Sequence, residues 1–325
     1  MTNREAAVTE KSGASQQNTS YENKSREGMA HFHLPGLFEF YEFYRAFLPL
    51  YREHREYFYD GCDIASIYGA PADCIWGGGR TGSGETGARQ VRELMREYGI
   101  SARLTLSNSL LRPEHLQDRK CNALCEMFAE EYYGVRNGVI ICSDLLLDYL
   151  KENYPEFYFV SSTTKVITDF DAFVREAERE DMSYIVPDFR LNTAFDRMSI
   201  LPTALKTKIE LLCNECCSPG CKDRRLCYEA VSRKNLGENA PEFICLAPGG
   251  SEGYRFSKAM ESPCFVSEQD IREKWLPAGI TNFKIEGRGL GSAVLLEFIL
   301  YYMTKPEYRL RVREKLYLDS MLDLF

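Results

Sequence analysis

Phe157-Tyr158-Phe159-Val160-Ser161-Ser162-Thr163-Thr164-Lys165 begins as a short apolar run and turns abruptly polar. A helical pattern from Phe170 to Glu180 follows, and then a second short run, Tyr184-Ile185-Val186, which ends in Asp188-Phe189-Arg190-Leu191-Asn192. Run, helix and run make one strand–helix–strand unit. The same pattern extends in both directions. Upstream runs lie at Ile64 to Tyr68, Ala102 to Leu106 and Val139 to Cys142, and downstream runs at Lys208 to Leu212, Cys264 to Val266 and Asn282 to Ile285. Helical patterns such as Pro113 to Tyr133 and Glu268 to Trp275 separate most of them, and a last helix, Gly291 to Met303, completes the set. Eight strand candidates alternating with helices predict an α/β fold, a TIM-type (β/α)8 barrel.

The flanks complete the domain reading. Phe38 to Tyr51 mixes aromatic and charged side chains at roughly helical spacing, and the pattern continues to Tyr59, which predicts one or two helices covering the bottom of the barrel. Residues 1–30 read as a disordered tail, because Met1 to Gly28 is rich in Ser, Asn, Gln, Glu and Lys and has no apolar stretch of signal-peptide type. Residues 31–325 form the barrel domain. A long insertion from about Asn235 to Glu261 carries Cys245 and falls between the predicted strands six and seven, where it can fold back over the mouth.

Charge and composition exclude some functions. The 325 residues include 40 Lys and Arg against 48 Asp and Glu, a net charge of −8, which disfavours a non-specific grip on nucleic acid and leaves room for a local basic pocket. No apolar stretch is long enough to span a membrane. Cysteines in a chain with no secretory signal are expected reduced, and the cytoplasm is the expected location.

In barrels of this kind chemistry sits where strands end. The predicted ends carry Arg80 after Gly77-Gly78-Gly79, Lys165, Arg190, and the pair Glu286 and Arg288, with Asp188 and Glu215 on the same rim. The glycine run lacks the Gly-Lys-Ser/Thr ending of a phosphate loop and reads as a tight turn that aims Arg80. Converging guanidinium and ammonium groups suit a carboxylate or a phosphate, so the expected ligand is an anionic small molecule or an anionic group on a larger substrate.

Seven of the twelve cysteines lie between Cys213 and Cys264, and the window opens with Cys213-Asn214-Glu215-Cys216-Cys217-Ser218-Pro219-Gly220-Cys221. Cys217 and Cys221 flank a turn-forming Ser-Pro-Gly insert that can bring both thiols to one side. Cys216 and Cys217 are adjacent and point to opposite faces of an extended chain. Cys227, Cys245 and Cys264 are scattered possible partners. Four thiolates suit an iron–sulfur cluster or a structural zinc, and one Cys-x3-Cys pair with remote single cysteines favours the cluster. The histidines, His31, His33, His54 and His115, all lie far from this window, which excludes a Cys2His2 site within it. Only His115 is placed to serve as the base of a cysteine nucleophile, and it sits at the start of a helix where exposure is the ordinary state. Cys213, Cys142, Cys121 and Cys125 read as small buried hydrophobes.

Lys208-Ile209-Glu210-Leu211-Leu212-Cys213-Asn214-Glu215-Cys216-Cys217-Ser218-Pro219-Gly220-Cys221-Lys222-Asp223-Arg224, then Ser262-Pro263-Cys264-Phe265-Val266, then Ala278-Gly279-Ile280-Thr281-Asn282-Phe283-Lys284-Ile285-Glu286-Gly287-Arg288, together resemble the peptidase U32 family of collagenase-like peptidases. The resemblance is clearest from about Tyr184 to Arg288. It implies a TIM-type barrel, and it implies similarity to members that carry a 4Fe-4S cluster on four cysteines and hydroxylate ubiquinone precursors or RNA bases without oxygen. It places Cys217 and Cys221 on the family's Cys-x3-Cys pair. Cys245 and Cys264 are the expected third and fourth ligands and Cys227 the reserve, with zinc as the alternative metal. The resemblance leaves two alternatives open, a collagenase-like peptidase and a non-catalytic, cluster-stapled subunit of a hetero-oligomer.

Overall fold

Eight parallel strands alternate with helices and wrap into a barrel in the computed structural model, which describes residues 28–79, 86–239, 241, 243–247 and 253–319. The strands are β1 (Ala30–Pro35), β2 (Cys62–Gly69), β3 (Ser101–Leu106), β4 (Gly138–Ile141), β5 (Tyr158–Ser161), β6 (Tyr184–Ile185), β7 (Glu210–Leu212) and β8 (Asn282–Lys284). Hydrogen bonding runs β6-β5-β4-β3-β2-β1-β8-β7, and the Ile185–Ile209 bridge joins the two ends of that order. Helices such as Asp144–Asn153 and Phe170–Ala177 start where side chains stop the free backbone N–H groups: Ser143 accepts from Leu146 N–H and Asp169 from Ala172 N–H. Nearly all of the predicted tail lies outside the described residues. Among the described residues no helix is long and apolar enough to cross a membrane.

Three sequence expectations need correction. The first strand is Ala30–Pro35, which pairs with both β2 and β8, and two histidines and a proline hid its apolar character. Residues 264–266 are not a strand; they run as irregular backbone beside β7, with Val266 N–H donating to Cys213 C=O at 3.0 Å. The count of eight stands, but the cysteine-bearing insertion therefore follows the seventh strand and precedes the eighth. Finally, the aromatic helix Tyr41–Glu53 connects β1 to β2 and buries Phe43, Tyr44 and Phe47 in the main core. It packs as a wall of the barrel, and Leu48, Tyr51 and Arg52 near its end, with Arg55, also line the opening at the N-terminal ends of the strands beside His33 and Arg103, so the floor expectation is met in part.

Strand residues alternate between two environments, as the pleat requires. Ala102, Leu104 and Leu106, like Leu211, Cys213, Phe283 and Ile285, face the large core under the helices. The other register faces the barrel interior. There Tyr68, Ile140, Val160, Val186 and Leu212 form a small apolar cluster, while Arg103, Thr105, Glu210, Asn282 and Lys284 are buried polar residues. Gly138 is needed at the bottom of this interior: a Cβ there would lie 2.4 Å from the Tyr158 ring.

Candidate functional site

At the C-terminal ends of the strands a cavity of about 510 Å3 opens among the ends of β2, β3, β5, β7 and β8 and the insertion. As expected, the insertion folds back over the mouth, since Cys245, Tyr254 and Lys258 all line this cavity. Asn214 ties the ends of β7 and β8 together. Its Oδ1 accepts from Glu286 N–H at 2.8 Å, its Nδ2 donates to Glu286 C=O at 3.1 Å, and its carbonyl accepts from the Tyr254 hydroxyl at 3.0 Å. The glycine loop seals one side. Gly78 lies so near the end of β3 that a Cβ would come within 2.4 Å of the Ser107 carbonyl, so only glycine fits.

Beside the mouth is a second, smaller cavity of about 60 Å3, and four cysteines line it: Cys217, Cys221, Cys227 and Cys245. Three of them, Cys217, Cys227 and Cys245, also line the mouth. Cys217 and Cys221 come from the turn after β7, Cys227 from the first turn of the helix Arg224–Asn235, and Cys245 from the insertion. Cys264 does not join them. It is buried in the interior cluster with Phe189 and Leu212, burial pushes its thiol up, and it lines neither cavity. Cys227 lines both cavities.

Four thiols around one space are the donor set of an iron–sulfur cluster and equally of a structural zinc. A tetrahedral zinc bound about 2.3 Å from each sulfur would need sulfurs about 3.8 Å apart. Among the described residues no three of these four thiols lie within 4.8 Å of one another, and the group that does is Glu215, Cys216 and Glu286.

Buried ion pairs hold the cysteine turn. Asp188, at the end of β6, takes Arg190 on both carboxylate oxygens, at 2.6 and 3.0 Å, and Arg190 also donates to Cys221 C=O at 2.9 Å. Arg224 bridges Asp188 at 3.3 Å and Glu215 at 2.7 Å, and lies over the Phe189 and Tyr228 rings. Glu215 in turn accepts from Cys217 N–H at 2.9 Å. Two carboxylates and two guanidiniums thus fix the backbone at Cys217 and Cys221 from both sides.

The predicted cations fare unevenly. Arg80 lies outside the described residues. Lys165 is bound to Glu176 at 2.6 Å and Arg190 to Asp188, and neither lines the mouth. Arg288 and Glu286 do line it, but each nitrogen of Arg288 already donates once, to Glu39 at 2.7 Å and to the Gly78 and Ala70 carbonyls. The cations that sequence reasoning missed are Arg255 and Lys258 of the insertion and Lys284 at the cavity floor. The signal for Lys284 was present: Ser101-x-Arg103-x-Thr105-x-Ser107 and Asn282-x-Lys284-x-Glu286-x-Arg288 place polar residues on one register of strands that are otherwise apolar.

Lys284 belongs to a charged group inside the barrel. Its Nζ lies 3.3 Å from Glu210 Oε1 and 3.5 Å from the centre of the Tyr68 ring. Arg103 holds the other Glu210 oxygen and stacks on Tyr184. Burial, helped by Arg103 and Arg288 and opposed by Glu210, brings the Lys284 ammonium down to about 8. Burial would push the Glu210 carboxyl up, but Arg103 first and Lys284 with it outweigh this and hold the group well below the usual carboxylate range. Burial and then Arg103 keep His33 neutral; Ser66 is 2.7 Å from its Nδ1 and Asn282 3.3 Å from its Nε2.

No histidine lines either cavity. His115 is occupied locally, its Nδ1 accepting from Arg112 N–H at 3.0 Å and its carbonyl from the Trp76 indole at 2.8 Å. A cysteine–histidine nucleophile therefore has no base at this mouth among the described residues.

Neither the family models nor the curated proteins yield a match to this chain. Among solved structures the chain is similar to the U32 peptidase Mk0906, with a TM-score of 0.49 and 13% sequence identity over 87% of this chain and 97% of that one.

Proposed function

We propose that this chain is an iron–sulfur enzyme of the barrel type, in which Cys217, Cys221, Cys227 and Cys245 hold a 4Fe-4S cluster beside a mouth cavity that takes a small molecule with an anionic group. The observation that carries the reading is the shared wall: three of the four thiols line both the cysteine cavity and the mouth. A cluster bound there supplies one-electron chemistry next to the substrate space. The chain's own residues do the rest. Asp188, Arg190, Arg224 and Glu215 keep the cysteine turn in place, Tyr254 and the insertion limit access of water, and Arg255, Lys258 and Lys284 give the cavity a cationic lining.

Anaerobic purification followed by iron and acid-labile sulfide analysis tests the reading. Iron and sulfide in equal amounts, about four of each per chain, are expected. Stoichiometric zinc without sulfide, or folded protein that never takes up iron, overturns it.

A further inference from the structure

We infer that the floor of the mouth cavity is a carboxylate-binding subsite made by Lys284, Thr105 and Ser107, so that the ligand is a small carboxylic acid with an apolar body. This rests on the reading above only in placing the ligand in the mouth; it does not depend on the cluster.

Two independent observations point to a ligand there. The first is unsatisfied hydrogen bonding. Thr105 and Ser107, two residues apart on one register of β3, are 6% and 1% exposed and line the cavity. Neither hydroxyl has a hydrogen-bond partner among the described residues. A buried hydroxyl without a partner is costly, and two side by side on a cavity floor make a ready donor pair.

The second is charge. Three buried cations, Arg103, Lys284 and Arg288, meet two buried carboxylates, Glu210 and Glu39. His33, packed against them, is neutral, and Arg103 also donates to the Tyr158 hydroxyl at 2.8 Å and lies over the Tyr184 ring. Tyr68 presents a ring face to Lys284 and donates its hydroxyl to Ile285 C=O at 2.6 Å. Glu286 stands above Lys284 on the rim, with its carboxylate gathered toward Glu215 and Cys216. Within the barrel interior, with Glu286 left to the rim, three cations thus share two carboxylates, and Lys284 has to share Glu210 with Arg103. Without a ligand, burial and the neighbouring guanidiniums lead Lys284 to give up its proton as pH passes about 8. An anion seated on the ammonium opposes that loss and holds the proton on.

The class of anion follows from the donors. One ammonium and two hydroxyls suit a single carboxylate. A phosphate dianion is better served by a free guanidinium fork, whereas the Arg288 guanidinium is already turned toward Glu39 and the Gly78 and Ala70 carbonyls. The walls next to the floor are Tyr68, Ile140 and Leu212, which suit an apolar body behind the carboxylate.

Benzoate and inorganic phosphate serve as probes in titration calorimetry of the whole chain, run in buffers of different ionisation enthalpy to count protons. Benzoate is expected to bind with uptake of nearly one proton at about pH 9 and almost none at about pH 6.5. Lys284→Met should weaken benzoate about tenfold or more and remove the uptake. Lys284→Arg, whose charge is permanent, should keep binding but lose the uptake, and Thr105→Val should weaken binding with the uptake retained; these two keep the test decisive if the methionine variant does not fold. Benzoate binding that is unaltered in Lys284→Arg, proton uptake included, or tighter binding of phosphate than of benzoate, overturns the assignment. Protein that shows the proton signature but holds no iron or sulfide keeps this subsite and loses the cluster, whereas cluster-bearing protein without the signature does the reverse.

Discussion

The Glu210 carboxylate on β7 and the Lys284 ammonium on β8 meet 3.3 Å apart inside the barrel, and both are buried. The pair shares its carboxylate with Arg103, so the lysine is the weaker claimant and the group that yields its proton. A stability signature follows. Lys284 has its folded value at about 8 against an ordinary 10.5. Below the folded value the lysine is charged in both states and gives no slope. Between the two values the unfolded chain binds a proton that the folded chain does not, so unfolding free energy rises with pH, by roughly 3 kcal/mol in total. In urea melts from about pH 7.5 to pH 10.5, the stability of wild type minus that of Lys284→Met should climb by this order. The buried tyrosines titrate in both proteins and cancel. A flat difference would show that Lys284 keeps its proton.

The cysteines separate by cavity. Alanine at Cys217, Cys221, Cys227 or Cys245 should each remove most of the iron and the cluster absorbance, because each lines the small cavity. Cys264→Ala should keep the iron and lose only packing, on the order of 1 kcal/mol or less, since its thiol sits among Phe189 and Leu212. Loss of iron with Cys264→Ala and retention with Cys227→Ala would restore the ligand set expected from sequence.

Arg224 is the most costly of the supports to remove. Its guanidinium lies between Asp188 and Glu215, both buried, and alanine there removes the cation 2.7 Å from Glu215 and 3.3 Å from Asp188. A loss of about 3–5 kcal/mol is expected. Glu215→Gln should be milder, because the amide still accepts from Cys217 N–H. Chemical denaturation of the two variants, with metal content measured on each, checks the order.

Gly78→Ala should damage the mouth rather than the fold. The added methyl meets the backbone of Ser107 and Asn108 at 2.4 to 2.7 Å, and backbone cannot swing aside. The loop must lift, which displaces the Ser107 hydroxyl and the Gly78 carbonyl that receives Arg288. Benzoate affinity is expected to fall several-fold with a small change in melting temperature. An unchanged affinity would mean that this loop is no part of the site.

Lys165→Met and Arg190→Lys should leave benzoate binding at the mouth intact, since neither side chain lines it. The arginine change should instead loosen the cysteine turn, because lysine cannot span both Asp188 oxygens and the Cys221 carbonyl. Iron retention during dialysis against a chelator reads that effect.

Local pattern was sufficient for the fold class. Short apolar runs separated by helical stretches imply strands and helices in alternation, and such alternation has few compact solutions. The Cys217–Cys221 pair was equally legible, because a Ser-Pro-Gly turn brings two thiols together whatever surrounds it. Ala30–Pro35 was not, since its histidines and proline disguise a strand whose polar side chains point inward, and residues 264–266 were read as a strand because an apolar run looks alike in a strand and in a buried coil. Tertiary structure alone decided that Cys227 and not Cys264 shares a cavity with Cys245, that Glu176 and Asp188 occupy Lys165 and Arg190, and that Lys284 stands beneath the mouth and has to share Glu210 with Arg103. The reason is physical. Periodicity and turn chemistry act between neighbours in the chain, whereas which charge is compensated and which thiol meets which is set by strand register and by a long connection folding back, and those bring together residues as far apart as Glu39 and Arg288.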